Sequence, residues 1–526
     1  MELKRLNQLG EWNPQLFREL KGQLTTRNLF LGATISLVCQ LFLLFGSKIG
    51  GDSTYTWDIR WEGVFQTLNW ILPFLLLTCG VYLLISDLGK EEHRGTLNFI
   101  RLSPQSSQSI LIGKMLGVPA VLFLGIILAI PLHFGCALAA NFSLGWLLEI
   151  YLLWGIGCGL LYSSAFLMTL LYGGKSGIQA LAWSGTLLGL MFGSVYIYLI
   201  NVIFDSSGWS NRLGNWYWFS LPVGHDPQLT VLWMLITLSV ATYWIWQAVN
   251  RMFRNPNSTV VSKSQSYWLV ASLQLWLLGF CVPPLNEFSS DFQTFLDFQV
   301  FLGATILLVF NPVGFISLTG VLSPRPQALR DWARYRHTSH FTGKKLLNRS
   351  LIQDLIWGEK SPALVAIAIN FLLTAAIWLP WILLGLGQVE SSQDFTAPSA
   401  LLGLLLTLNV ILIYVAIAQV MLFMSKWKQS ACIVGTVGVL GGGLLATWAT
   451  MGMSPLDMPF LWLLSPLPIL AFIKATATTI FLGLLTQVGI LGLLTLQLTR
   501  QFRKLGESTS KELFTQSASR PLSGLK

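Results

Sequence analysis

The sequence predicts an all-α, polytopic transmembrane helix bundle of about 12 spans, with an amphipathic interfacial helix ahead of the first span. Three observations predict it: scarce charge, long apolar blocks and a one-sided distribution of cations. Charged residues make up 11% of the 526, and mean hydropathy is +0.62. A soluble domain carries about 25% charge, so this chain cannot coat a water-facing surface. Its apolar blocks reach the roughly 20 residues needed to cross a hydrocarbon layer of about 30 Å. Runs such as 400–424 do not alternate, which removes the β-barrel. Helices remain, because in lipid the backbone must satisfy its own hydrogen bonds.

The blocks lie at approximately 29–46, 68–86, 110–138, 146–172, 177–204, 228–250, 267–283, 298–322, 362–386, 400–424, 431–450 and 466–498. The last is expected to break near Pro466 and Pro468. Placing the N-terminus inside assigns most cations to one side. That side holds the run from Lys4 to Arg27, Lys90, Arg94, Arg101, Lys175, Arg251, Arg254, Lys263, the run from Arg325 to Lys360, Lys426, Lys428 and the tail from Arg500. The other side holds only Lys48, Arg60 and Arg212, with Asp52, Asp58, Glu62, Asp205, Asp226, Glu287 and further acids. This is the positive-inside pattern. It predicts both ends inside a bacterial inner (cytoplasmic) membrane, and it explains the net charge of +10 without nucleic acid. The first residues are too charged for a signal-peptide core.

The expected organisation is a cytoplasmic N-terminus at 1–28, a six-span unit at 29–250, a second at 251–498 and a disordered cytoplasmic tail at 499–526. A rival register starts the second unit at Asn348, where Asn-Arg-Ser-Leu-Ile-Gln-Asp-Leu loosely echoes 13–20. Segment 13–24 is amphipathic: Pro14 suits a helix start, and Leu16, Phe17, Leu20 and Leu24 share a face. Such a helix lies in the membrane plane or packs on a partner. Small residues at helical spacing predict close helix contacts: Gly155 and Gly159, then Gly185, Gly189 and Gly193, then Gly438 and Gly442. The six cysteines fall in apolar blocks without metal-ligand spacing and read as small core residues.

The segment at 87–109 is the most informative. A charged start leads to Gly95 and Thr96, which open a short helix bearing Leu97, Phe99, Ile100 and Leu102; Thr96 is a possible cap. Ser103-Pro104 ends it. Its apolar residues either tuck under the bundle or enter a partner's groove.

The run Glu92-x-x-Gly95-Thr96-Leu97, then Ser103-Pro104, then Ile110-Leu111-Ile112-Gly113-Lys114 resembles the coupling segment of bacterial ABC-2 type permeases. The likeness is sharp over 90–115, extends over 13–250 and fades beyond. The resemblance implies a permease subunit of an ABC exporter. A separate nucleotide-binding ATPase subunit would press on Glu92, Gly95, Thr96, Leu97, Phe99, Ile100, Leu102, Ser103 and Pro104. ATP would be bound by that partner only, and this chain would be no enzyme, with no catalytic residues and no cofactor of its own. The only near-match to a phosphate loop, Gly174-Lys175-Ser176, has Thr169 where glycine is needed.

The basic loop at 323–361 has no Glu-x-x-Gly-Thr-Leu. It suits anionic headgroups or an ATPase, and its His337 and His340 lack further metal ligands. Whether one chain supplies both halves or two chains pair as a homodimer stays open. Charges within apolar blocks are functional candidates: Lys474 and Glu149 are assigned to a substrate path, with an interfacial position as the alternative for each. A major-facilitator-like secondary transporter is the first rival function, although its long loop should follow the sixth span. A membrane-embedded enzyme is the second, lacking grouped carboxylates or histidines at one face.

Overall fold

The computed structural model describes residues 10–49, 60–173, 177–204, 216–282, 299, 301–340, 349–385, 397–424, 450–452, 458–465, 468 and 475–506. Nine helices among them are long and apolar enough to cross a membrane, and no strand occurs among the described residues. The chain is an all-α, multi-pass membrane protein. It forms two compact units, Met1–Trp216 with Pro222–Pro256 and Tyr217–Leu221 with Asn257–Lys526.

In the first unit, α1 (Pro14–Gln23) begins at the Asn13 cap, whose side chain accepts from the Leu16 N–H. Then come α2 (Thr26–Ile49), α3 (Trp61–His93), α4 (Thr96–Arg101), α5 (Ser107–Gly117), α6 (Ala120–Ala139), α7 (Leu144–Tyr172), α8 (Ile178–Ile203) and α9 (Pro227–Arg254). The expected span at 110–138 is therefore two helices. The chain breaks at Val118-Pro119, and the membrane-length part is Ala120–Ala139. Val118 keeps helical angles, φ −64° and ψ −47°, but Pro119 has no backbone N–H to donate to the Met115 carbonyl, so the ladder is interrupted there.

The core of this unit is built on α3, where Leu77, Leu84, Ile85 and Leu88 are fully buried. The expected glycine face of α8 meets it. A Cβ at Gly185 would collide with Ile85, while Gly189 and Gly193 rest on Val81 and Leu77. In α7 the expected pair is corrected: Gly155 faces open space and Gly159 makes only an ordinary contact. Gly157 instead lets Tyr196 approach, within 2.5 Å of where its Cβ would stand. Gly438, Gly442 and Cys432 lie outside the described residues, and Cys39 is exposed, not a core residue.

In the second unit, α10 (Lys263–Leu278) opens with a capping box between Ser262 and Gln265. A π-helical turn at Ile306–Phe310 leads into α11 (Asn311–Leu322). Then follow α12 (Pro326–His340), α13 (Arg349–Trp357), α14 (Leu364–Gly385), α15 (Ala397–Met424), α16 (Pro459–Leu463) and α17 (Ala477–Gly506). Buried side-chain hydrogen bonds tie its helices together. Gln274 Nε2 donates to Asn311 Oδ1 at 2.8 Å, and Trp378 Nε1 donates to Gln274 Oε1 at 2.8 Å. With no water to compete, such interhelical bonds substitute for hydrophobic drive.

Candidate partner-coupling site

Helix α3 has 33 residues, about 50 Å at 1.5 Å per residue. That exceeds a hydrocarbon layer of about 30 Å, which leaves roughly 20 Å over for an untilted crossing. The charges Asp87, Lys90, Glu91, Glu92 and His93 all sit at its C-terminal end, which places that surplus there. Gly95 stops the helix in the left-handed region at φ 74° and is the N-cap of α4. No atom stands within 4 Å of a Cβ built on it, so the backbone angle alone favours glycine. Thr96 is not the cap of α4: its hydroxyl turns back and donates to the Glu91 carbonyl at 3.1 Å, closing the end of α3. Helix α4 ends as expected, with the Ser103 hydroxyl donating to the Ile100 carbonyl at 2.7 Å and Pro104 following.

The apolar side chains of α4 divide. Leu97 is buried, Ile100 is half-buried, and Phe99 and Leu102 are 80% and 83% exposed. Both sequence-level alternatives therefore hold for different residues of one helix. Glu92 lies against the end of α7, where its Oε2 is 2.8 Å from a Cβ built at Gly173. The Arg101 guanidinium stands 5.5 Å from the Phe253 ring of α9. Burial pushes its pKa down, opposed by Glu92. Arg254 Nε donates to Ser107 Oγ at 2.9 Å, and Ser107 bonds Asn250. The end of α9 thus clamps the α4–α5 turn.

Beside α4 is a cluster that sequence reasoning missed. Lys114 of α5 is completely buried and pairs with Asp87 at 2.7 Å, Glu91 at 2.9 Å and Glu19 at 3.3 Å. Arg18 closes the ring on Glu91 at 3.0 Å and Glu19 at 3.1 Å. Burial opposes the charge on Lys114 most strongly. Asp87, Glu91 and Glu19 together outweigh it and hold its pKa above the usual lysine value. The three carboxylates come close enough to hold one cation, and the Lys114 ammonium is that cation. Gly113 and Gly117 admit α1: a Cβ at Gly113 would stand 2.8 Å from the Leu16 nitrogen, and one at Gly117 2.5 Å from the Glu19 Cβ. Asn13 Nδ2 donates to the Ser109 carbonyl at 2.8 Å. Leu16 of the amphipathic helix is therefore buried within its own unit, while Phe17 and Leu20 stay half-buried. The available signal was the Asp87/Glu91 spacing of four, which puts both acids on one helix face.

At the opposite end of α3, residues including Phe65, Asn69, Phe142, Tyr198 and Asn201 line a cavity of about 270 Å³. Asn69 Nδ2 donates to Asn201 Oδ1 at 2.9 Å on its wall. Glu149 is half-buried in the second turn of α7 and is not among the lining residues. Lys474, Pro466, Lys175 and the expected span at 431–450, apart from Thr450, lie outside the described residues, as do the side chains of His337 and His340.

No family model matches the chain, and neither a curated protein nor a solved structure matches it.

Proposed function

We propose that this chain is the permease subunit of an ABC exporter, seated in a bacterial inner membrane with both ends inside and driven by a separate nucleotide-binding ATPase. One observation carries the reading. A rigidly braced helix beyond the hydrocarbon layer presents Phe99 and Leu102 to solvent. Burying a large apolar side chain is worth about 1.5–3 kcal/mol, so a partner groove that takes both gains about 3–6 kcal/mol toward docking. The bracing makes the contact useful. Force applied at Phe99 and Leu102 passes through Leu97, the Arg101–Phe253 contact and the Lys114 cluster into α3, α5 and α9 together. Nucleotide closure in the partner would then bias a two-state bundle between inward-open and outward-open forms. The cavity at the other end of α3 is the candidate meeting point with cargo. The chain itself would hydrolyse nothing.

The test is purification of the chain in nanodiscs with its partner, identified by a phosphate-loop lysine. A Phe99→Ser/Leu102→Ser double variant should melt as the parent does, because both side chains are exposed. It should retain at least ~10-fold less ATPase. Undiminished ATPase and transport in that variant would remove α4 as the docking element. Transport that continues with no ATPase bound would favour the secondary transporter.

A further inference from the structure

We propose that the cavity at the far end of α3 is a binding site for a protonated primary amine that carries an apolar body and no anionic group. As a cargo site it rests on the permease function just proposed; as a binding site it does not.

The cavity opens where the seam between α3 and α8 loosens. A Cβ at Gly185 would collide with Ile85, but one at Gly189 stands 3.5 Å from Val81 and one at Gly193 3.7 Å from Leu77. Beyond Gly193 the small residues give way to Tyr198, Asn201 and Val202, which line the cavity from α8. Glu62, Gln66 and Asn69 line it from α3 at spacings of four and three, which is one helix face. Asn69 and Val202 are buried while Glu62 and Gln66 are exposed. The carboxylate therefore stands at the mouth, and Asn69 lies deep.

The polar atoms left over are acceptors. Asn69 Nδ2 donates to Asn201 Oδ1 at 2.9 Å, Asn201 Nδ2 to the Ile197 carbonyl at 2.8 Å, and Gln66 Nε2 to Glu62 Oε1 at 3.4 Å. Asn69 Oδ1 is buried and has no hydrogen-bond partner. A buried acceptor without a partner is costly, and a ligand N–H removes that cost. A sugar needs donors and acceptors together, whereas an ammonium needs acceptors only. Among the described residues lining the cavity none carries a positive charge. Nothing there answers a phosphate or carboxylate on the ligand, and Glu62 repels one.

The rest of the wall suits a cation with an apolar body. Phe65, Trp70, Phe142, Tyr198 and Phe204 are aromatic, and aromatic faces attract ammonium groups. The wall is set in advance. Phe65 stacks on His133 with centroids 4.8 Å apart at 19° and meets Phe142 at 4.6 Å. Trp146 touches both Phe142 and Phe204, at 6.2 and 5.8 Å. Trp70 and Tyr198 are 41% and 49% exposed and extend the aromatic surface beyond the mouth. The volume of about 270 Å³ is below the roughly 300–1,000 Å³ of sites that enclose a whole drug-sized ligand. The ammonium group and its nearest carbons therefore enter, and the rest of the apolar body lies along Trp70 and Tyr198.

The test is calorimetric titration of the full chain in phosphatidylcholine nanodiscs, without ATPase, using 2-phenylethylamine at neutral pH and subtracting empty discs. The amine should bind at least ~10-fold tighter than 2-phenylethanol or 3-phenylpropanoate, which keep its ring but lack the charge or invert it. Glu62→Gln and Trp70→Leu should each weaken binding at least ~3-fold with an unchanged melting temperature. Asn69→Leu should weaken it at least ~5-fold; should that variant unfold, the exposed Glu62 and Trp70 carry the test. Equal binding of amine and alcohol, or tighter binding of glucose, would overturn the inference. So would loss of amine binding when phosphatidylethanolamine replaces phosphatidylcholine, which would assign the site to a lipid headgroup. Amine binding by a chain to which no ATPase docks would overturn the permease function and leave the site; ATPase docking on a chain that binds no amine would do the reverse.

Discussion

Lys114 in the first unit and Lys263 in the second are both buried, at 0% and 2% exposure, and both lie outside the membrane-length helices. Their surroundings differ in one respect. Lys114 faces three carboxylates. Lys263, the first residue of α10, donates to the Leu355 carbonyl at 2.7 Å, the Ser361 hydroxyl at 2.6 Å and the Pro362 carbonyl at 3.0 Å. Burial dominates at Lys263 and drives its pKa down to about 8, with Asp354 opposing. At Lys114 the pKa goes up. Neutral acceptors satisfy an ammonium's hydrogens without replacing the solvation of its charge, whereas carboxylates do both. The first unit has fastened the charged end of α3 with an ionic lock; the second has used a polar staple at the start of α10.

The largest break in that comparison is the loss of each cation. Lys114→Met leaves three acids facing one another with only Arg18 to answer them. Removing one partner of a buried ionic group costs about 3–5 kcal/mol. Lys263→Met removes a cation that burial already penalises and leaves two carbonyls and a hydroxyl, a loss of about 1–3 kcal/mol. Thermal unfolding in detergent, read by exchange of amides in each unit separately, should rank Lys114→Met well below Lys263→Met. A reversed order would mean the carboxylates of the first unit are solvated.

Next in size is a packing change at the same lock. Gly117→Ala puts a methyl group into the Glu19 Cβ, and α1 must lift to admit it. Overpacking of this kind costs about 1–3 kcal/mol. Exchange protection should fall in α1 and α5, and less ATPase should co-purify. Gly155→Ala, into open space on α7, should instead stabilise by up to about 1 kcal/mol, because alanine favours the helix.

These contrasts mark how far the sequence could be read. The helical class followed from scarce charge together with long apolar blocks that do not alternate, and the glycine face at 185–193 followed from spacing. Gly95 and the end of α4 at Ser103-Pro104 were also legible, because each is a local signal, whereas the sequence left open whether the apolar residues of α4 tuck under the bundle or stay exposed. The ionic lock was not. Lys114 stands 95 residues from Glu19 and 27 from Asp87, and in one dimension it looks like a cation trailing an apolar run. The break at Val118-Pro119 was legible in principle, but the apolar run carries straight through it. Gly157 was passed over for Gly155, since the small-residue pattern cannot say which face of α7 meets Tyr196.

The smallest expected effect separates the two lysines by the sign of their pH response. A lysine whose folded pKa is raised contributes stability that is fully present below the unfolded value. That contribution is lost only as pH rises through the folded value, so the Lys114 lock should hold unchanged up to pH 10.5. Lys263 is the opposite case. Between about 8 and 10.5 the unfolded chain binds a proton that the folded unit does not, so stability rises with pH across that window. One pKa unit is about 1.4 kcal/mol, which makes the gain from pH 8 to pH 9.5 roughly 2 kcal/mol or less. Exchange protection around α10, α13 and the start of α14 should therefore increase at pH 9.5 relative to pH 8. Protection around α1 and α5 should stay level, and Lys263→Met should flatten the first response without touching the second. If protection at α10 falls over that range, the Lys263 ammonium is better stabilised in the folded unit than in water, and the staple is a second ionic lock working through Asp354.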